Sequence, residues 1–131
     1  MSDITQQATQ QGLDSFMATF GRVPPNFSLL AEHAPAALAG YGLMRAHVMR
    51  DREDGGALDL KTKELIFSLL DTLAGQTTGA RNHAIAAMKL GLTLPELAEG
   101  LVQVLMVGGI TTWNLTGAEV MRAAAEFNSS Q

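Results

Sequence analysis

The sequence contains no cysteine, which excludes disulfide bonds, thiolate nucleophiles, thiol redox pairs and cysteine-bound zinc. Aromatic residues make up only 5% of its 131 residues, so we expect a mostly aliphatic core. Charged residues make up 17%, below the usual share of about a quarter. Because so few charges cannot cover the surface of a small domain, we expect part of that surface to be buried against other copies of the chain.

Long apolar runs are also missing. The longest, from Leu101 to Ile110, contains Gln103 and is too short to cross a membrane. The first residues, MSDITQQATQQG, are polar and lack the apolar centre of a signal peptide. The nine basic residues are scattered and the net charge is −4, which does not indicate nucleic-acid binding. We expect a cytoplasmic protein with neither a membrane nor a nucleic acid as partner.

What is present is helical periodicity. The apolar spacing, the prolines and the glycines predict successive helices at 26–33, 35–50, 60–74, 77–90, 94–107 and 111–127, after a first helix near residues 13–20. Thr93 followed by Glu96 is typical of a capping box. Nothing alternates with a period of two. The sequence therefore predicts an all-α protein of about six or seven helices, with 1–131 forming a single compact domain.

His83 lies in an alanine-rich stretch, GARNHAIAAMKLG, and shares a helix face with Ala80, Ala84 and Ala87. An imidazole suits general acid–base chemistry near neutral pH, and small neighbours leave room for a ligand. The alternative is a core histidine with one satisfied hydrogen bond.

Glu64 precedes His83 by nineteen residues. Two antiparallel helices with a short connection could bring the two side chains together, and the carboxylate would then fix the tautomer of the imidazole. The alternative is a surface ion pair between Glu64 and Lys61.

Two arginines could bind a carboxylate in a bidentate manner. Arg81 points away from His83 on the same helix, so it could line a pocket at a subunit interface or pair with Asp71, and the alternative is an ordinary surface position. Arg45 lies on an apolar face, beside Leu38, and could equally form a structural ion pair. The three histidines have no recognised metal spacing, and we expect no metal site.

The segment Leu58–Asn114 resembles the core of the carboxymuconolactone decarboxylase family, which shares the alkyl hydroperoxidase D-like helical fold. The resemblance rests on LDLKTKELIFSLLDTLAG, on ARNHAIAAMKLGLTLPELAEGLVQVLMVGG and on ITTWN. It implies a core at 58–114 and a helical leader at 1–52.

The hydroperoxidase branch of that family carries a cysteine pair at the positions of Gln76 and Gly79 here. Without a thiol a thiol peroxidase is excluded, and the chain resembles the cysteine-less decarboxylase branch. It departs from that branch at Val107, Thr111 and Trp113, and Trp113 would reshape the pocket.

The resemblance implies a cofactor-free lyase acting on a small carboxylated unsaturated lactone or a related ring acid. His83 would be the proton donor or oxyanion partner and Glu64 would orient it. Arg81, Arg45, backbone N–H groups near Thr78 and the ring of Trp113 would contact the substrate. Two alternatives stay open on this scaffold: a non-catalytic oligomeric binding protein, and an isomerase or hydratase. The resemblance also implies a homotrimer or homohexamer.

Overall fold

The computed structural model describes residues 3–131, except for the side chains of residues 19 and 20. Over these residues the regular structure is helical and contains no strand, which confirms the predicted all-α class. The main helices are α1 (Asp3–Phe20), α2 (Pro25–His33), α3 (Pro35–Val48), α4 (Leu60–Ala74), α5 (Thr77–Lys89), α6 (Leu94–Gly108), the short α7 (Ile110–Thr112) and α8 (Ala118–Ser129).

The chain divides into two compact units, Met1–Ala57 and Leu58–Gln131. Within residues 3–131, no helix is both long enough and apolar enough to traverse a bilayer. The grouping of 1–131 into one domain stays a prediction, as do the boundaries of its leader and core.

In the first unit, α1 packs on α3 at very short range because glycines face each other. A methyl group placed on Gly12 would lie 2.7 Å from the Cα atom of Gly42, so neither position has room for a side chain. Three aromatic rings pack beside this crossing, with Phe27 at 4.3 Å from Phe16 and 5.3 Å from Tyr41, measured between ring centroids. The unit is therefore held together by close backbone contact and a small aromatic cluster.

In the second unit, α4 and α5 run antiparallel. Gly75, with a φ of +78°, ends α4, and two residues later Thr77 begins α5. Gly75 adopts this left-handed backbone at no steric cost, and the short connection turns the chain back on itself. The core beside these helices is aliphatic, as expected: Ala80, Ala84, Ala87, Met88, Leu92, Leu97, Leu101, Val120 and Ala124.

Helix α6 begins with the predicted capping box. The Thr93 hydroxyl accepts a hydrogen bond from the Glu96 N–H at 3.3 Å, and the Glu96 carboxylate accepts one from the Thr93 N–H at 2.9 Å. Both bonds satisfy backbone donors that a helix start otherwise leaves unpaired.

The predicted helix over 111–127 is not regular. A π-helical turn occupies Trp113–Gly117, between α7 and α8. Gly117 packs closely there, because a methyl group at this position would lie 3.0 Å from the ring of Trp113 and the ring would have to shift. Such π turns are rare and cannot be read from apolar spacing, since they insert one residue into the helical register.

Candidate active site

The site forms on an unusual face of α4. Glu64, Ser68 and Thr72 recur every fourth residue and are all buried, whereas Leu70 on another face is 55% exposed. Ser68 donates a hydrogen bond to the carbonyl oxygen of Ala80 at 2.8 Å, and Thr72 donates to that of Ser68 at 2.7 Å. The polar stripe of α4 therefore faces α5, and its buried polar groups are satisfied.

The predicted Glu64–His83 contact forms. The Glu64 carboxylate lies 2.6 Å from the Nδ1 atom of His83, and the two residues are 2% and 8% exposed. With Glu64 ionised, the short distance fits an Nδ1–H group donating to the carboxylate. Nε2 is the second ring nitrogen of His83, and the pair can hold or transfer one proton on the imidazole.

Phe67 is a site residue that the sequence did not indicate. Its ring stacks on the His83 imidazole with a centroid separation of 4.8 Å and an interplanar angle of 24°. The ring fixes the plane of the imidazole, while the carboxylate fixes its rotation. The available signal was spacing alone, since Phe67 follows Glu64 by one helical turn.

Asp71 is the second residue that sequence reasoning did not place in the site. Its carboxylate packs against Gly79 so closely that a Cβ atom at Gly79 would collide with it. Burial raises the pKa of the Asp71 carboxyl above its ordinary value, and attraction to the charge of His83 acts in the opposite direction. Among residues 3–131 it forms no ion pair with Arg81, so that predicted alternative is wrong.

Comparison with known proteins gives one match. No protein-family model matches the sequence, and no curated protein matches it. A crystal structure from Burkholderia xenovorans LB400, described as a "putative carboxymuconolactone decarboxylase", superposes with a TM-score of 0.88. The two sequences are 33% identical over 96% of this chain and 95% of the other.

The chain belongs to the carboxymuconolactone decarboxylase family. The family resemblance seen in the sequence is thereby confirmed. Membership rests on a full-length structural match with a third of the residues identical, and it defines the family of the chain without defining its substrate.

The other predicted ligand contacts of this family member lie at several places in the second unit. Arg81 is half-buried on α5. Thr78 is exposed in the first turn of that helix, where the side chain of Gln76 forms no capping hydrogen bond. Trp113 is half-buried and packs against the aliphatic core. Their roles in ligand binding stay predictions.

Arg45 lies in the first unit and is buried there. Its guanidinium donates to the Ser15 hydroxyl at 2.6 Å and lies 4.8 Å from the centroid of the Phe16 ring. These contacts give the guanidinium a structural role within α1 and α3. The alternative of a structural partner thus has direct support, while substrate binding by Arg45 stays a prediction.

His33 and His47 are both exposed. Over residues 3–131, no three histidine, aspartate or glutamate side chains lie close enough together to hold a metal ion. His83 is therefore the histidine that the fold places among functional groups.

Proposed function

We propose that the chain is a cofactor-free lyase that removes CO₂ from a small carboxylated unsaturated lactone or a related ring acid. The observation that carries the proposal is the buried Glu64–His83 hydrogen bond, in a member of the carboxymuconolactone decarboxylase family. A buried imidazole with a fixed tautomer is the arrangement that proton delivery in a water-poor site requires.

The chemistry proceeds with balanced electrons. The bond between the ring carbon and its carboxylate breaks, CO₂ leaves, and the electron pair passes into the conjugated lactone carbonyl. The resulting enolate is stabilised by hydrogen-bond donation from His83 and is then protonated at carbon. Water returns the proton to His83 at the end of the cycle. The lactone carbonyl is the electron sink, so the scheme has no step for a separate cofactor.

Glu64 acts as the positioning residue of this scheme. By accepting from Nδ1, its carboxylate keeps Nε2 directed away from α4 and stabilises the protonated imidazole. Phe67 prevents the ring from turning out of this orientation. His83 is the catalytic acid, and the two partners limit its freedom before the substrate arrives.

In this scheme the first turn of α5 binds a carboxylate of the substrate. Backbone N–H groups near Thr78 are unsatisfied by the helix itself and carry the positive end of its dipole. Arg81 supplies a guanidinium group for a substrate carboxylate, and the Trp113 ring shapes the apolar side of the pocket, whereas the guanidinium of Arg45 is held by Ser15 in the first unit. These assignments rest on chemical type and on the family resemblance.

Self-association, as a homotrimer or homohexamer, is part of the proposal. Large apolar side chains of the second unit are exposed in the single chain, including Met106 at 76% and Val107 at 82%. Groups of large exposed apolar side chains often mark a surface that another protein chain covers. A native mass equal to one chain, measured by light scattering after size-exclusion chromatography, would contradict it.

The test is an ultraviolet assay of the purified protein with 4-carboxymuconolactone. We expect turnover by the wild type and a loss of about 10²–10⁴-fold in kcat for His83→Ala, the range for removal of a general acid. His47→Ala is the matched control, because that histidine is exposed. Equal kcat values for His83→Ala and wild type would remove His83 from the mechanism. A silent wild type that still binds the lactone would favour the non-catalytic binding protein.

A further inference from the structure

We propose that Ser68 is a positioning residue for His83: by bonding to the backbone of α5, it holds that helix in the register at which the imidazole meets Glu64. The inference rests on the proposed function in one respect, namely that His83 is the catalytic acid. It adds a residue that acts on the imidazole through the backbone of α5, in contrast to Glu64 and Phe67, which contact the ring itself.

Two hydrogen bonds join α4 and α5 one helical turn apart. The first is the contact of 2.6 Å between the Glu64 carboxylate and the Nδ1 atom of His83. The second runs from the Ser68 hydroxyl to the Ala80 carbonyl oxygen at 2.8 Å. Ser68 follows Glu64 by four residues on α4, and on α5 the acceptor precedes His83 by three, so each helix places its two groups on one face. Because α4 and α5 are antiparallel, the second bond fixes α5 one turn before the imidazole.

The direction of the Ser68 bond distinguishes it from the other hydroxyl bond of this face. Serine and threonine within a helix commonly donate to the carbonyl oxygen four residues earlier in the same helix. Thr72, one turn further along α4, does so, because it donates to the Ser68 carbonyl oxygen at 2.7 Å. Ser68 instead donates across to α5. Both side chains are buried, so the two residues differ chiefly in the helix that accepts the bond.

The acceptor on α5 is a backbone atom, and this gives the Ser68 bond its positioning role. The contact between Glu64 and His83 joins two side chains that turn about several bonds, so it persists only while α5 stays where the imidazole reaches the carboxylate. The Ala80 carbonyl moves only with its helix, and a hydrogen bond is directional. A shift or rotation of α5 against α4 therefore costs the Ser68 bond.

Packing of the α5 side chains gives only weak resistance to such a shift. The buried apolar residues of α5 are three alanines, Ala80, Ala84 and Ala87, and Met88 near the end of the helix. Methyl side chains form shallow ridges, whereas the interlocking of long side chains is what fixes two helices against each other. Ser68 is 0% exposed, so bulk water does not compete for the carbonyl oxygen. The hydroxyl therefore supplies a constraint that the apolar contacts lack.

The experiment measures how well the His83 imidazole is held, by proton exchange with water in isotope-labelled protein. The Nδ1 proton leaves its bond to the Glu64 carboxylate whenever the contact opens, so its exchange rate, measured by NMR, reports that opening. The backbone amide protons of Val120 and Ala124, in the buried core, report opening of the unit as a whole. Dividing the first rate by the second separates a loss of positioning from a general loss of stability.

We expect Ser68→Ala to raise this rate ratio by roughly threefold to tenfold, the factor that corresponds to one lost hydrogen bond. The variant should fold, because the Ala80 carbonyl stays in the hydrogen-bond ladder of α5 and no buried polar group loses its only partner. Ser68→Cys is the second variant: its thiol is a weak donor of similar shape, so the increase should be smaller. Thr72→Val is the matched control, because it removes a buried hydroxyl bonded within α4 and should leave the ratio unchanged.

An unchanged ratio in both Ser68 variants would overturn the proposal, and so would an equal increase in Thr72→Val. A wild-type Nδ1 proton that exchanges as fast as those of the two exposed histidines would also overturn it, because Glu64 then does not hold the proton. In the lyase assay, Ser68→Ala should lower kcat at an unchanged KM, since His83 acts in the chemical step, and a rise in KM alone would contradict the positioning role. Proton exchange needs no substrate, so failure of the lyase assay is distinguishable from failure of this inference.

Discussion

The hydrogen bond between Glu64 and His83 makes a stability prediction that requires no knowledge of the substrate. Replacing either residue alone by leucine leaves the other as a buried polar group without its partner, because both are almost fully enclosed. Such an orphaned group costs about 1–3 kcal/mol, and more if it is charged. Replacing both residues removes the polar groups together, which is often neutral or stabilising when the volume is kept.

We therefore expect Glu64→Leu and His83→Leu each to lower the free energy of unfolding by about 2–4 kcal/mol. The double variant should be more stable than either single variant, with a coupling energy of at least about 1.5 kcal/mol. A domain of ordinary stability, about 5–15 kcal/mol, tolerates the single losses and remains folded.

The measurement is urea denaturation of the four proteins at one fixed protein concentration, because association shifts apparent stability. The control is a second double-mutant cycle made from Glu99→Leu and His47→Leu, two exposed residues. In this cycle the two changes in the free energy of unfolding should add. If the losses at Glu64 and His83 simply add, the two side chains do not form the buried pair, and the positioning role of Glu64 fails with it.

Four further predictions concern the same unit. Thr93→Ala should cost about 1 kcal/mol, since it removes the N-cap of α6. The backbone N–H of Thr93 holds the pKa of Glu96 below its ordinary value, so the contribution of Glu96 to stability should be present above its unfolded pKa and disappear as pH falls through its lower folded pKa. Gly79→Ala should fail to give the gain of about 1 kcal/mol usual for glycine to alanine in a helix, because the new Cβ meets Asp71. Burial raises the pKa of the Asp71 carboxyl. The contribution of Asp71 to the free energy of unfolding is therefore fully present below its pKa in the unfolded chain and is lost as pH rises through its higher pKa in the folded protein. Asp71→Asn should therefore be more stable than wild type at pH values above the pKa of Asp71 in the folded protein. At pH values below its pKa in the unfolded chain, the variant should show no such gain.

Denaturation curves check each of these. An unchanged midpoint for Thr93→Ala would contradict the capping box, and so would a Glu96→Gln variant with the same pH dependence as wild type. Gly40→Ala is the control for position 79, since it lies in α3 with nothing within 4 Å of a new Cβ atom and should show the usual gain. Two results would refute the packing of Asp71 on Gly79. One is a gain in stability for Gly79→Ala as large as that for Gly40→Ala. The other is a Gly79→Ala change that still brings no gain in stability when Asp71 is replaced by alanine. A stability difference between Asp71→Asn and wild type that is independent of pH would refute the burial argument.

The sequence determined the fold class, because apolar spacing, glycines and prolines act locally. The ends of α4, the Thr93–Glu96 cap and the break at Gly75 were all predictable, since each depends on a few neighbouring residues. The sequence spacing also permits the Glu64–His83 contact, because nineteen residues are enough for parts of two antiparallel helices and the turn that joins them.

Tertiary packing decided the rest. Burying the polar stripe of α4 while Leu70 and Leu73 stay exposed depends on α5, which supplies the carbonyl of Ala80 and the imidazole of His83 as partners. No local preference specifies this arrangement, since burial of a polar group is favourable only once its partner is in place. The same holds for Phe67 on the His83 ring and for Asp71 over Gly79: the sequence supplied the residue types, and only the approach of two helices gave them a common site.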